Sequence, residues 1–208
     1  MASQIQICNV ALVHCGEASI TSLNEDGKAA RVLKRVYDVV LDQALTDYRW
    51  YFAVERAELA ADPTAPAFGF SNRFTVPSDL LQLIGIGGDT NESKRNYTAS
   101  ETIFKREGQY IMADDAPLKI VYVKRVTDPS LYSPEFVKYL SYLLATTIFY
   151  DLTKGADRYT ALVQGREQAA KQAKFKGAIQ GTPEVIVASE WIDSRFSDNY
   201  PLRIGPVV

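Results

Sequence analysis

Apolar residues recur at helical spacing in the first fifty positions of the chain. A first stripe consists of Ile5, Cys8, Leu12 and Cys15. Ser3 and Gln6 have the spacing of a capping box ahead of this stripe, and Gly16 is expected to end the helix. A longer stripe consists of Leu33, Val36, Tyr37, Val40, Leu41, Ala44, Leu45 and Tyr48. Residues 22–25 also match a capping box, so they predict the start of the second helix.

The pattern changes to short extended pieces after residue 52. Prolines and glycines recur often enough between residues 63 and 88 to interrupt any long helix. Residues 101–106, 109–113 and 118–126 are rich in strand-forming side chains and are separated by turn residues. We expect these strands to form an antiparallel meander.

A helical pattern returns at Ser133, where a capping serine, a proline in the first turn and an early acid predict a helix start. The helix expected over residues 136–153 has almost no polar face. It must therefore be covered on most sides, either within its own domain or by a neighbouring chain. Gly155 is expected to end it and Asp157 to cap a fourth helix with a thinner apolar stripe, which predicts a surface position.

The last segment, residues 182–208, has no sustained helical or strand period. It nevertheless carries the large apolar side chains Trp191, Ile192, Phe196, Tyr200, Leu202 and Ile204. A free tail would leave these groups in water, so we expect the segment to lie against another surface. We call residues 182–208 the arm.

These patterns predict an α+β fold: a four-helix bundle of two N-terminal and two C-terminal helices, an inserted small antiparallel β region, and an extended C-terminal arm. The expected boundaries place the first helices in residues 1–52 and the β insert in residues 53–130. The last two helices occupy residues 131–181, and the arm follows.

Composition and charge limit the classes of function that this chain can have. The chain has 208 residues, 47% of them hydrophobic, which is typical of a packed globule and excludes disorder throughout. Its net charge of −2 argues against a protein that coats nucleic acid. The first residues carry no positive charge before their apolar positions, and the most apolar run is too short for a membrane span. We expect a protein made in a cytoplasm, without a membrane anchor.

The residues that most often carry chemistry do not form a recognisable constellation. The only histidine, His14, and the cysteines Cys8 and Cys15 fall within the first helix. Residues 85–89 are glycine-rich but lack the Gly-Lys-Ser/Thr of a phosphate loop, and residues 114–115 are adjacent acids that more often cap a turn than bind a cation. We therefore expect no catalytic residue, no metal and no cofactor.

The stretch D-Y-R-W-Y-F-A-V-E-R-A-E-L, residues 47–59, allows two interpretations. Glu55 and Glu58 could act as the paired carboxylates of a glycoside hydrolase if they share a face, which a helix would permit and a strand would not. Alternatively, Trp50, Phe52 and Arg56 form a structural corner. In an extended segment the Trp50 and Phe52 rings share a face and close the end of the bundle, while Arg56 pairs with nearby carboxylates. We favour the corner.

Short motifs in order along nearly the whole chain resemble the head-to-tail adaptor proteins of short-tailed bacteriophages, of the tail tubular protein A type. They include Asn9-Val10-Ala11-Leu12, Ile20-Thr21-Ser22-Leu23, Trp50-x-Phe52-Ala53-x-x-Arg56, Asn72-Arg73-Phe74-x-x-Pro77-x-Asp79-Leu80, Tyr122-Val123-x-Arg125-Val126-Thr127-Asp128-Pro129 and Trp191-Ile192-Asp193-Ser194-Arg195. Residues 91–100 depart from that pattern, which leaves the loop contacts of the insert undefined.

The resemblance implies a structural protein of the virion tail, at the head-tail junction, rather than an enzyme. Such proteins form a homo-oligomeric ring of about twelve copies beneath the portal protein and above the tail nozzle or hub, around an axial channel for DNA. The arm would then dock on the portal or on the next subunit. Mild acidity would let DNA pass through the channel without specific binding.

Overall fold

The computed structural model describes residues 2–86, 103–153 and 157–179. Its helices are α1 (Gln4–Cys15), α2 (Lys28–Asp47), α3 (Pro134–Leu152) and α4 (Asp157–Ile179). Its strands are β1 (Val54–Leu59), β2 (Asn72–Thr75), β3 (Leu80–Ile86), β4 (Phe104–Glu107), β5 (Tyr110–Ala113) and β6 (Leu118–Lys124). The predicted α+β class, with four helices and small antiparallel sheets, is confirmed for the described residues.

Helix α1 begins and ends as its sequence predicts. The Ser3 side chain accepts a hydrogen bond from the Gln6 amide at 3.2 Å, and the Ser3 amide donates to the Gln6 side chain at 2.8 Å. Gly16 ends the helix with a φ of 79°, which glycine adopts without strain. The buried face consists of Ile7, Cys8, Ala11, Leu12 and Cys15. It is therefore rotated slightly from the predicted stripe, and Ile5 is only partly buried.

The predicted start of α2 is wrong. Residues 22–25 form a separate turn, in which the Glu25 carboxylate accepts hydrogen bonds from the Thr21 amide at 3.0 Å and the Ser22 amide at 3.4 Å. Because these contacts close the loop on itself, they do not cap the helix. α2 begins at Lys28 behind Gly27, without a side-chain cap. Tertiary packing of its amphipathic face supplies the stability that a cap does not.

Helix α3 lies at the centre of the helical part. Its start follows the predicted signal, because the Ser133 hydroxyl accepts a hydrogen bond from the Phe136 amide at 3.2 Å and Pro134 occupies the first turn. Helices α1, α2 and α4 all pack against it. The buried residues are Phe136, Tyr139, Leu140, Ser141, Leu143, Leu144, Ala145, Thr146, Ile148 and Phe149. The apolar surface of α3 is therefore covered largely by its own chain.

The strands form two sheets and not the predicted single meander. One sheet has the order β1-β6-β3 and the other β2-β5-β4, and every pairing is antiparallel. Strand β6 is apolar on both faces, so it takes the centre of a sheet that is covered on both sides instead of following β5 at an edge. Among the described strands, only the β4–β5 hairpin keeps the expected sequential pairing.

Strand β6 separates two hydrophobic cores. Val123 packs into the large core formed by the helices. Leu118, Ile120 and Tyr122, which alternate with it, pack into a smaller core between the two sheets. The β1-β6-β3 sheet is therefore the layer that joins the helices to the second sheet.

Several sequence predictions fall outside the described residues. They concern Gly155, the loop of residues 91–100, and the arm. Within the described ranges, none of the helices is long and apolar enough to cross a bilayer. The expected domain boundaries stay predictions.

Candidate functional site at the corner between helices and sheets

The corner joins the end of α2 to the start of β1. Residues Tyr51–Ala53 form a single 3-10 turn, where the sequence interpretation assumed an extended segment. Trp50 precedes this turn and is 5% exposed. Its indole Nε1 donates a hydrogen bond to the Ala44 carbonyl oxygen at 2.7 Å, so its polar atom is satisfied although the ring is buried.

Four aromatic rings meet where the corner touches the start of α3, and we call Trp50, Phe52, Tyr132 and Phe136 the corner cluster. The Phe136 ring centroid lies 4.8 Å from Trp50, 5.1 Å from Phe52 and 4.8 Å from Tyr132, in edge-on arrangements. Such arrangements are favoured between aromatic rings. The 3-10 turn, not an extended backbone, thus brings Trp50 and Phe52 onto one surface.

An ion-pair network ties the end of β6 to α2. Arg125 Nε donates a hydrogen bond to Asp42 Oδ1 at 2.6 Å, and Arg125 Nη2 lies 3.6 Å from Asp38 Oδ1. The hydrogen bond to Asp42 raises the pKa of Arg125 above its usual value. The Arg125 amide also donates to the Asp79 carbonyl oxygen at 2.8 Å. One residue therefore contacts both α2 and the turn before β3.

A second polar group links β1, β6 and the same turn. Lys124 Nζ donates to Glu55 Oε2 at 2.8 Å and lies 3.5 Å from Asp79 Oδ2. The hydrogen bond with Glu55 raises the pKa of Lys124. The Tyr122 hydroxyl donates to Asp79 Oδ1 at 3.3 Å, and burial, with a smaller contribution from Asp79, raises the pKa of Tyr122. Asp79 therefore collects contacts from two side chains of β6.

The structure does not bring Glu55 and Glu58 together. Both lie on strand β1, and side chains three positions apart on a strand point to opposite faces. Glu55 is ion-paired with Lys124, and Glu58 is opposite Lys119 in the strand register. Arg56 is exposed and opposite Val121. The geometry therefore gives no support to a glycoside hydrolase that uses these two acids.

The other side chains considered for chemistry are buried or make contacts within the fold. Burial raises the pKa of Cys8 to about 12 and that of Cys15 to about 11, which leaves both thiols protonated and poorly nucleophilic near neutral pH. His14 stacks on Tyr142 with ring centroids 4.1 Å apart. Asp114 accepts a hydrogen bond from the Ser71 amide at 2.8 Å. In the described ranges, no group of three His, Cys, Asp or Glu side chains is placed to hold a metal.

Sequence reasoning missed the polar contacts of Arg125, Lys124 and Asp79 and found only the aromatic residues near them. Asp42 and Asp38 stand four residues apart on α2, the spacing of neighbours on a helix face, and this is the one signal that could have pointed to a cation such as Arg125. The predicted docking residues all fall in the arm, outside the described residues: Trp191, Ile192, Phe196, Tyr200, Leu202 and Ile204.

Comparison with models of known protein families finds none that matches this chain. A comparison with curated proteins finds no match either.

Proposed function

We propose that the protein is a structural adaptor of a short-tailed bacteriophage. About twelve copies would form a ring that joins the portal protein at the capsid vertex to the tail nozzle or hub and leaves a channel for DNA. The four helices form one bundle in this proposal, the strands form its insert, and the arm reaches the portal or the next subunit. The site of action is the virion tail, after synthesis in the host bacterium.

The observation that carries the proposal is the position of the residues that resemble such adaptors. Trp50 closes the helical core, Arg125 binds Asp42 on α2, and Tyr122 binds Asp79. These residues hold the helices and the β1-β6-β3 sheet in one arrangement. A fixed arrangement of helices and sheet is what a structural adaptor needs in order to hold its partners in place.

Exposed apolar side chains on the helices support subunit contacts. Val10 and Val13 lie three residues apart on α1 and are 42% and 68% exposed, and on other helices Val39 and Phe175 are each 70% exposed. A closed ring with head-to-tail contacts needs two different patches on every subunit. These side chains lie on three different helices, so exposed apolar groups are available at more than one place on the subunit surface.

The charge of the chain supports passage of DNA rather than binding. Proteins that grip DNA neutralise phosphates with clustered lysines and arginines. Here 23 basic residues are outnumbered by 25 acidic ones. A channel lined by such a surface would not hold DNA through the release of counterions from its phosphates.

The proposal is tested by mixing the purified protein with the portal protein encoded in the same genome and measuring the mass of the complex in solution. We expect a species that contains about twelve 23.2-kDa chains on each portal. A variant with Trp191, Phe196 and Tyr200 changed to Ala should bind the portal more weakly while keeping the helical circular dichroism of the unmodified protein. Absence of any complex with the unmodified protein would contradict the proposal.

A further inference from the structure

A surface cleft of about 230 Å³ lies beside the corner, between the residues that follow α2 and the last turns of α4. Tyr48, Trp50 and Tyr51 line one side, and Gly177 lines the other. Among the residues that the structure describes, none has a heavy atom within 4 Å of a Cβ added at Gly177. Since a cavity of about 150 Å³ accommodates benzene, this cleft has room for one aromatic side chain.

The rim of the cleft is basic. Lys174 Nζ lies 4.5 Å from the centroid of the Tyr48 ring, and Lys176 Nζ donates to Glu135 Oε1 at 2.6 Å. Arg49 also lines the cleft. Three cations and one carboxylate give the lining a formal charge of +2. The ligand that best fits is therefore an aromatic group flanked by carboxylates.

The chain itself contains such a group after α4. Residues 190–193 read Glu-Trp-Ile-Asp, so Trp191 stands between two acids. The whole arm has four acidic residues and two arginines, a net charge of −2, opposite to that of the cleft. Trp191 follows Ile179 by 12 residues, a tether that spans up to about 40 Å when extended.

We propose that Trp191 occupies the cleft of its own chain, with Glu190 and Asp193 directed toward Lys174 and Lys176. Reach and tethering favour the same chain, because a short tether gives an effective concentration on the order of millimolar, above that of free copies in dilute solution. The cleft then stores the arm against the helices. A partner that binds the arm more tightly would release it from the cleft during assembly. This consequence rests on the proposed function, whereas the docking itself does not.

Trypsin cleavage after Arg195, four residues beyond Trp191, tests the docking in the full-length protein. Gly177→Phe adds a ring at the lining of the cleft and is designed to block it, and Gly177→Ala is the matched control with a much smaller side chain. When the arm opens and closes faster than it is cut, the cleavage rate follows the open population, so we expect Gly177→Phe and Trp191→Ala to be cut about fivefold faster or more. Gly177→Ala should be cut at the unmodified rate, and mass spectrometry identifies the bond.

Cleavage of both Gly177→Phe and Trp191→Ala within about twofold of the unmodified rate would overturn the proposal. Trp191→Ala keeps the test valid if the larger side chain at position 177 disturbs α4. Repeating the assay after dilution by about a hundredfold shows whether the arm in the cleft comes from the same chain or from another copy. Docking within one chain predicts rates that do not depend on concentration, and protection that disappears on dilution would assign the cleft to another copy and overturn the proposal. Neither outcome depends on whether the protein binds a portal.

Discussion

Trp50 fixes the corner through two kinds of contact at once. Its ring packs edge-on against Phe136, and its Nε1 donates to the Ala44 carbonyl oxygen inside the last turns of α2. The neighbouring Tyr51, in contrast, is 51% exposed. Two adjacent aromatic residues therefore have different roles, one in the core and one at the surface.

Trp50→Ala should lower the free energy of unfolding by about 3–5 kcal/mol, since it leaves a cavity in the core and removes a buried hydrogen-bond donor. Urea unfolding measures the change. Tyr51→Ala is the matched control and should change stability by no more than about 0.5 kcal/mol. Equal stability of Trp50→Ala and the unmodified protein would show that the corner does not support the fold.

His14 offers a pH test, because it is the only histidine in the chain. Burial against α3, with a smaller contribution from Lys138, lowers its pKa from the usual 6.5. The unfolded chain therefore takes up this proton at a higher pH than the folded chain, and acidification favours unfolding. Above pH 6.5 both states are neutral at His14, so the loss of stability begins as the pH falls through 6.5.

His14→Phe, which keeps a ring to stack on Tyr142, should reduce the loss of stability between about pH 8 and pH 5. Urea unfolding at a series of pH values measures the slope in both proteins. Acids that titrate below this window affect the two proteins alike. Identical slopes would mean that His14 is hydrated in the folded protein and that its pKa is not lowered.

Helix α4 illustrates how packing at the element scale overrides intrinsic preference. Gly165 faces α3 so closely that an added Cβ would lie 2.6 Å from Tyr142 Cε1. Gly177, near the end of α4, lines the cleft, and no described residue has a heavy atom within 4 Å of its added Cβ. The Tyr142 ring is held in turn by its stack on His14. The same glycine-to-alanine change should therefore have opposite effects at the two positions.

We expect Gly177→Ala to stabilise the protein by up to about 1 kcal/mol, the usual gain in a helix. Gly165→Ala should be destabilising by about 1–3 kcal/mol, since the methyl group forces Tyr142 to move. Thermal unfolding of the two variants gives the signs directly. Stabilisation by both changes would show that α3 and α4 are less closely packed than the structure indicates.

Arg125 joins two elements, β6 and α2, through Asp42. Both side chains are more than a third exposed, so solvent screens the pair, and we expect a coupling energy of only about 0.5–1 kcal/mol. A double-mutant cycle with Arg125→Gln and Asp42→Asn isolates this value. A cycle with Arg125→Gln and Asp38→Asn, whose atoms are 3.6 Å apart, should give a smaller coupling. A coupling of zero for the Asp42 cycle would remove the proposed link between sheet and helix.

Local signals in the sequence were sufficient for part of the whole molecule. The capping box of Ser3 and the start signal at Ser133 are short-range contacts, and both predicted their helices closely. The turn at Glu25 uses the same residue types, but its hydrogen bonds to Thr21 close a loop, which the pattern alone does not distinguish. The two-sheet arrangement depends on β6 pairing with strands far along the chain, and hydrophobic spacing does not specify such pairs.

The candidate site was predicted only in its aromatic part. Three aromatic residues in a row are visible in the sequence, so Trp50 and Phe52 were identified, although the 3-10 turn that brings them together was not. Asp42, Asp79 and Arg125 are far apart along the chain, and the pairing of the strands brings them together. The sequence alone therefore does not reveal the network. The paired-carboxylate hypothesis for Glu55 and Glu58 depended on the backbone conformation, which the strand settles.

At the scale of the assembly, the central claim is that copies of this chain form a ring coaxial with a portal. Electron microscopy of the full-length protein mixed with the portal from the same genome tests it most directly. We predict class averages with a ring of about twelve copies beneath the portal and an open channel along the axis. Portals without an added ring, in a mixture where the protein is in excess and folded, would contradict the account.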